Sequence, residues 1–380
     1  MSADIARAIS GFCIVVSVLG IAYLTVAVAR MLIFGSRRPS SGGATPPITV
    51  FKPLCGLEPQ LEDNLASFCV QDYPAFQVIF GVRDLEDPSI AVVQRIIERF
   101  PRLDLQLVVD ARVHGANAKI SNVINMAPRA KHDIFIIADS DMRVERGYLR
   151  SVVAAFSDGT VGAVTCLYGG SPLRGTWSAL GAMFVNDLFA PSVLVGTALQ
   201  KMRFCFGATM AVRKDVLERI GGLEALASHL ADDELLGRLV SESGRRVVLA
   251  DAVVHNTIFE PSLKGLWAHE LRWARTMKTS RPLGYSFFFI SYALPWAVIA
   301  LLVSRNLLWG SFLVAAALVL RVVLHYAALR ALRVRARPTP WLIPIRDALG
   351  LAEWVTSFFG RRVRWRDQEL RVEADGRLTS

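Results

Sequence analysis

Two uncharged runs of twenty-two residues, 8–29 and 283–304, constrain this chain more than any other feature. A helix needs about 20 apolar residues to cross the hydrocarbon core of a bilayer, so each run is long enough to span. A third run, 306–329, is interrupted only by Arg321 and His325. The first run invites comparison with a secretory signal. It is longer than the ~7–15 residue apolar core of such a signal, however, and no small-residue cleavage site follows at once. Residues 341–360 form a weaker fourth segment, because Pro344, Arg346, Asp347 and Glu353 are costly at a bilayer centre. Arginines orient the set. Arg30, Arg37 and Arg38 follow the first run, and Arg330, Arg333, Arg335 and Arg337 follow the third. The positive-inside bias places both groups in the cytoplasm. The expectation is transmembrane helices at 8–29, 283–304 and 306–329 and a cytoplasmic domain over 40–281. A re-entrant or interfacial helix at 341–360 and a cytoplasmic tail at 361–380 complete it.

Composition agrees. Of 380 residues, 53% are hydrophobic and 20% charged, which excludes a disordered chain and sits below the charge content of ordinary soluble domains. The net charge of +10 suits an anionic membrane surface, and no nucleic-acid partner is expected. Five cysteines, none in a C-x-x-C pair, read as packed free thiols in a reducing, cytosol-facing chain.

Between the anchors, strand-like and helix-like runs alternate. Residues 48–54, 76–82, 103–109, 133–138 and 161–168 read as strands; 58–70, 89–100, 118–126 and 148–156 carry helical spacing. Alternation of this kind predicts an α/β fold with a mainly parallel sheet and ligands at the carboxyl ends of its strands. Phosphate-cradling glycine loops, a nucleophile elbow and zinc-protease or kinase signatures are all missing from the sequence.

What stands out is acidic. Asp139-Ser140-Asp141 closes the apolar strand 133–138. Two carboxylates one residue apart at a strand end can hold a hard cation such as Mg²⁺ beside substrate phosphates, or simply form a solvated turn. Asp84 ends the strand at 76–82, at the edge of the sheet where Asp139 is expected; Asp87, before Pro88, reads as the cap of the next helix. Asp232-Asp233-Glu234 opens a helix and reads either as favourable helix-terminal charge or as the seat of a general base. His269-Glu270-Leu271-Arg272-Trp273 precedes the second apolar run. Arginine there can grip phosphate and tryptophan can wall a pocket, although basic and aromatic residues also collect at membrane interfaces.

In this order the four sites resemble those of family 2/21-type inverting glycosyltransferases with a GT-A fold, a nucleotide-sugar-binding α/β domain. Within that group the chain resembles ceramide glucosyltransferases and, most closely, the hopanoid biosynthesis-associated glycosyltransferases of bacteria. The resemblance covers about residues 51–280. It is carried by FKPLCGLEP, QDYP, DLEDP, NAKISN and FGATMAVRKDVL, besides HGANAKISNVINM, VTCLYGG and MFVNDLFAPSVLVG. Two departures stand out. His269 occupies a position that is usually Gln or Arg, and Phe189-Ala190-Pro191 lacks the His of the H-P dipeptide of ceramide enzymes. The resemblance implies a membrane-bound, multi-pass enzyme of the bacterial inner membrane. It would move one sugar from a UDP-sugar, UDP-GlcNAc or UDP-glucose, to a lipid hydroxyl, with a hydroxylated hopanoid expected and ceramide as the alternative. It further implies that Asp84, Asn117, Lys119, Asp139 and Arg272 bind the nucleotide-sugar. Asp139 and Asp141 would hold Mg²⁺ or Mn²⁺, Asp233 would act as base, and His269, Arg272 and Trp273 would meet the acceptor. A processive polysaccharide synthase shares these motifs but needs more helices to build a channel.

Overall fold

The computed structural model describes residues 3–37, 43–304, 306–359, 362–365, 368–372 and 378–379. In chain order, α1 (Ala3–Ser36) precedes β1 (Ile48–Pro53), α2 (Leu61–Cys69), β2 (Phe76–Val82), α3 (Ser89–Arg99), β3 (Asp104–Val109) and α4 (Ala118–Met126). Next come β4 (Ile134–Ile137), β5 (Met142–Arg143), α5 (Tyr148–Ala154), β6 (Val161–Pro172), α6 (Gly175–Met183) and α7 (Ala190–Leu199). β7 (Met210–Arg213), α8 (Lys214–Arg219), α9 (Asp232–Glu242) and β8 (Arg246–Ile258) follow. Then come α10 (Leu263–Ser280), α11 (Pro282–Ser286), α12 (Ala293–Ser304), α13 (Leu307–Ala331) and α14 (Ile343–Ser357). In the predicted tail, β9 (Arg362–Trp365), β10 (Gln368–Val372) and β11 (Leu378–Thr379) form a small sheet; its other residues lie outside those described.

The chain divides into two compact units, and the division is not the one the apolar runs suggest. Arg37–Tyr168 and Lys201–Thr257 make an α/β unit, while Gly169–Gln200 and the chain from Ile258 through α14 join α1 in a helical unit. The stretch predicted as one soluble domain, 40–281, is therefore shared between them.

The α/β unit is built on an eight-stranded mixed sheet of order β3-β2-β1-β4-β7-β6-β8-β5. β1 pairs in parallel with β2 and β4, and β2 with β3; β7 runs antiparallel to β4 and β6, and β5 antiparallel to β8. Strands β1, β2 and β4 read as continuous apolar runs because both of their faces are covered: Val50, Phe51, Val78, Ile79, Ile136 and Ile137 are all fully buried. Ile120, Val123 and Met126 of α4 pack into the same core. The carboxyl ends of β1, β2 and β4 consequently line one edge, with Asp84 just past β2 and Asp139 just past β4.

In the helical unit, α1 packs on α12 and α13. Gly20 lets the helices close up, since a Cβ there would sit 2.7 Å from Ala293 Cβ and from the Ile290 carbonyl oxygen. Among the described residues, three helical stretches are long and apolar enough to cross a membrane: Arg7–Ser36, Gly175–Leu199 and Leu307–Ala331. Two of these fall on predicted runs. The predicted helix at 283–304 is broken into α11, a 3₁₀ turn over Phe288–Ser291 and α12, whose 12 residues rise only about 18 Å. Indole N–H groups brace the broken segment: Trp354 donates to Tyr285 O and Trp296 to Phe289 O, carbonyls that also accept backbone N–H groups. The apolar stretch Gly175–Leu199 was not expected as a span. It is mostly buried within the structure and contains a π-helical turn over Phe184–Phe189.

Candidate active site

The edge of the sheet gathers most of the predicted residues. Lys119, in the first turn of α4, places its Nζ 2.7 Å from Asp139 Oδ1 and 3.3 Å from Asp232 Oδ2, linking the end of β4 to the start of α9. Burial works against the Lys119 charge, but Asp139 and Asp232 outweigh it and hold its ammonium above the ordinary lysine value. Asn117 caps α4 by accepting from Ile120 N at 3.1 Å. Its amide also donates to His229 O and, at 3.1 Å, to Asp232 Oδ1. Asn117 is thus a fully buried tie between α4 and α9 rather than an open contact.

The two aspartates that composition cannot tell apart have different surroundings. Asp232 is buried and bound by Asn117 and Lys119. Asp233 is half-buried and accepts only from backbone, from Gly207 N at 2.9 Å and Glu234 N at 2.8 Å. Burial, and then the neighbouring Asp232, push its carboxyl up to about 6. A carboxylate poised just below neutral pH suits a general base. Gly207 brings this base close to the strand-end acid: a Cβ on it would meet Asp139 Oδ2 at 2.7 Å and Lys119 Nζ at 3.2 Å.

Asp141 points inward. Its Oδ2 accepts from Asn256 Nδ2 of β8 at 2.9 Å, while Oδ1 has no hydrogen-bond partner among the described residues. Burial, then Asp139 and Glu58, push its carboxyl up to about 7. An orphaned oxygen in an acidic recess is the signature of a place short of positive charge, and it fits a hard divalent cation held jointly with Asp139. Among the described residues no three His, Cys, Asp or Glu side chains form a ready-made metal cage.

Asp84 is exposed at the same edge, with one oxygen accepting from Glu86 N at 3.0 Å; Asp87 takes the Ser89 N–H at 2.8 Å, the capping role expected of it. His269, Arg272 and Trp273 lie on α10, in the helical unit. There His269 Nδ1 pairs with Glu260 Oε1 at 2.7 Å, and the Trp273 ring stacks on Phe184.

Sequence reasoning missed Lys52. It is fully buried in β1, lies 4.0 Å from the Phe68 ring centroid and donates to the Asp139 carbonyl. Burial pulls its ammonium down to about 8. The signal was available: a lone lysine amid ITVFKP, a strand otherwise buried throughout. Gly207 and Asn256 gave no such signal, because their importance rests on contacts with residues far along the chain.

The mixed α/β sheet thus carries the D-x-D pair and the second aspartate pair at one edge, linked through Lys119. The chain belongs to glycosyl transferase family 21, whose family model matches residues 12–378. It is 26% identical over 207 residues to ceramide glucosyltransferase 1 of Caenorhabditis elegans, covering 54% of this chain and 44% of that one. It is 33% identical over 155 residues to the ceramide glucosyltransferase of Gibberella zeae, covering 36% of this chain and 29% of that one. The matched stretches thus span about half or less of these curated relatives' lengths. The mannosyltransferase PcManGT from Pyrobaculum calidifontis, solved with GDP-Man and Mn²⁺, shares the fold with a TM-score of 0.55. It is 20% identical, with 92% of this chain and 99% of that one covered. The apolar helices and these relatives mark the protein as membrane-associated.

Proposed function

We propose that this glycosyltransferase moves one sugar from a UDP-sugar, UDP-GlcNAc or UDP-glucose, to a hydroxyl of a membrane lipid, with inversion at the anomeric carbon. The observation that carries the reading is the division within the aspartate pair. Asp232 is locked to Asn117 and Lys119, whereas Asp233, among the described residues, accepts from backbone N–H groups, and burial with the neighbouring Asp232 pushes its carboxyl up to about 6. Asp233 takes the proton of the acceptor hydroxyl as that oxygen attacks the sugar from the face opposite the leaving nucleotide. In this reading Asp84 accepts from the uracil edge, and Lys119 and Arg272 supply positive charge for the diphosphate. His269 and Trp273 orient the acceptor. Asp141 and Asp139 are the residues that would hold Mg²⁺ or Mn²⁺, the latter being the ion solved with PcManGT. Such a cation, once bound, neutralises charge growing on the leaving diphosphate.

Two acceptors are in play. A hydroxylated hopanoid is favoured by the resembling stretches and by Ala190 in place of the ceramide enzymes' histidine. Ceramide is favoured by the named relatives, which are ceramide glucosyltransferases. The enzyme belongs, on this reading, to a bacterial inner membrane, with the sheet edge on the cytoplasmic side. Incubating membranes that contain the protein with a panel of UDP-sugars and both lipid classes tests it, with products identified by mass. One added sugar on a lipid supports the proposal and selects the acceptor. A polymer points to a processive synthase, and no product from any pair sinks the reading.

A further inference from the structure

Arg346 lies in the segment whose charges look costly in sequence, and in the structure it is fully buried at the centre of a cluster on α14. Its Nη1 donates to Glu270 Oε1 at 2.8 Å and to Leu180 O at 3.2 Å, and its Nη2 lies 2.8 Å from Glu270 Oε2 and 2.9 Å from Glu353 Oε2. The guanidinium carbon also sits 5.7 Å from the Phe184 ring centroid. Both partners lead to the same place. Glu270 stands between His269 and Arg272 on α10. Phe184 stacks on Trp273 with ring centroids 5.5 Å apart and 28° between planes, and Trp273 packs against His269 on another side at 4.3 Å.

We propose that Arg346 is a positioning residue for the His269–Trp273 segment, acting through the fork to Glu270 and through the Phe184 ring. This rests on the reading above, in which that segment meets the lipid acceptor. Only a planar guanidinium can clasp one carboxylate with two nitrogens, reach a second carboxylate and a carbonyl, and still lie over a ring; an ammonium keeps the charge and loses the fork. A rotation of α10 or a slipped Phe184 ring would displace Trp273. Small misplacements of a substrate-orienting group cost on the order of tenfold to a hundredfold.

The test uses the full chain in detergent or nanodiscs, labelled with 5-fluorotryptophan. The Trp273 resonance is assigned by its disappearance in Trp273→Phe. Arg346→Lys and Glu270→Gln are each expected to shift or broaden that resonance while Trp309, exposed at the start of α13, stays put. In the same samples kcat/KM for the acceptor should fall about tenfold to a hundredfold. A Trp273 signal unmoved in folded Arg346→Lys overturns the proposal. So does a uniform fall of all kinetic parameters without a shift, which marks a purely structural residue. If Arg346→Lys does not fold, Glu270→Gln decides by the same readouts, and failure of both to fold also overturns positioning in favour of a structural role. If the unsubstituted protein transfers no sugar, the proposed function fails, while the fluorine signal still decides whether Arg346 sets Trp273.

Discussion

Each unit buries a cluster of charges, and the two clusters are built on different principles. In the helical unit, Arg321 forks onto Asp347 at 2.7–3.1 Å, His325 pairs with Asp187 at 2.8 Å, and Arg346 joins Glu270 and Glu353. These seven side chains are sealed, none being more than 3% exposed. At the sheet edge, Lys52 and Lys119 face Glu58, Asp139, Asp141, Asp232 and Asp233, and the cluster opens outward, with the Asp139 side chain 34% exposed. Arginine forks in a sealed space lock helices together. Point-charge lysines, outnumbered by carboxylates beside an opening, leave room for a cation and a proton to come and go. Burial of charge alone therefore does not separate the two clusters; the opening at the sheet edge does.

The largest expected effect strikes the open cluster only. Exhaustive chelation should reduce sugar transfer to background and Mg²⁺ or Mn²⁺ should restore it, while the thermal midpoint of the helical unit barely moves. Undiminished turnover in the chelated enzyme would remove Asp139 and Asp141 from any metal role. Next, Asp233→Asn should lower kcat by about 10²–10⁴-fold with donor binding retained, and Asp232→Asn should affect the chemical step less. A reversal of the two would assign the base to Asp232. The sealed cluster should answer differently. Arg321→Met leaves Asp347 buried without its partner and should cost on the order of 3–5 kcal/mol of stability, much of it recovered in Arg321→Met/Asp347→Leu. Melting curves in detergent decide; a stable single variant would break the contrast drawn here.

Two smaller effects sharpen it. Because burial and Asp232 raise the Asp233 carboxyl to about 6, the base is protonated below that pH and free above it. Turnover should thus rise with pH to a plateau, falling about tenfold per unit on the acid side. An acid limb near 4 would indicate an ordinary, solvated carboxylate. Smallest of all, Asn117→Ala removes the cap of α4 and one tie to Asp232. It should cost about 1 kcal/mol and reduce turnover only severalfold, as judged by melting and rate measured together.

Much of this was legible before any coordinates. The strands β1, β2, β3, β4 and β6 and the helices between them fall where apolar patterning places them, most plainly at β4, whose four residues are all buried and apolar. The D-x-D at the end of β4 and the aspartate pair at the start of α9 were likewise visible, since helix and strand ends carry local signals. The break at Phe288–Ser291 was not legible, because hydropathy counts apolar residues and cannot see an indole N–H capturing a carbonyl. Nor was the burial of Gly175–Leu199, whose Asp187 becomes tolerable only beside His325 and Arg321.

By itself, then, the sequence determined which segments are apolar, where β1 to β4, β6 and the helices among them fall, and which acidic residues sit at strand and helix termini. These are local properties, written in periodicity and capping. Only the tertiary structure decided that Asp232 is held by Asn117 and Lys119, that Lys52 lies beneath Asp139, and that the costly charges of α14 are paired rather than exposed. The physical reason is that ionisation and burial depend on partners brought together from tens of residues to more than a hundred residues away. Asn117 with Asp232 and Asn256 with Asp141 are each 115 residues apart, and no local pattern carries that pairing.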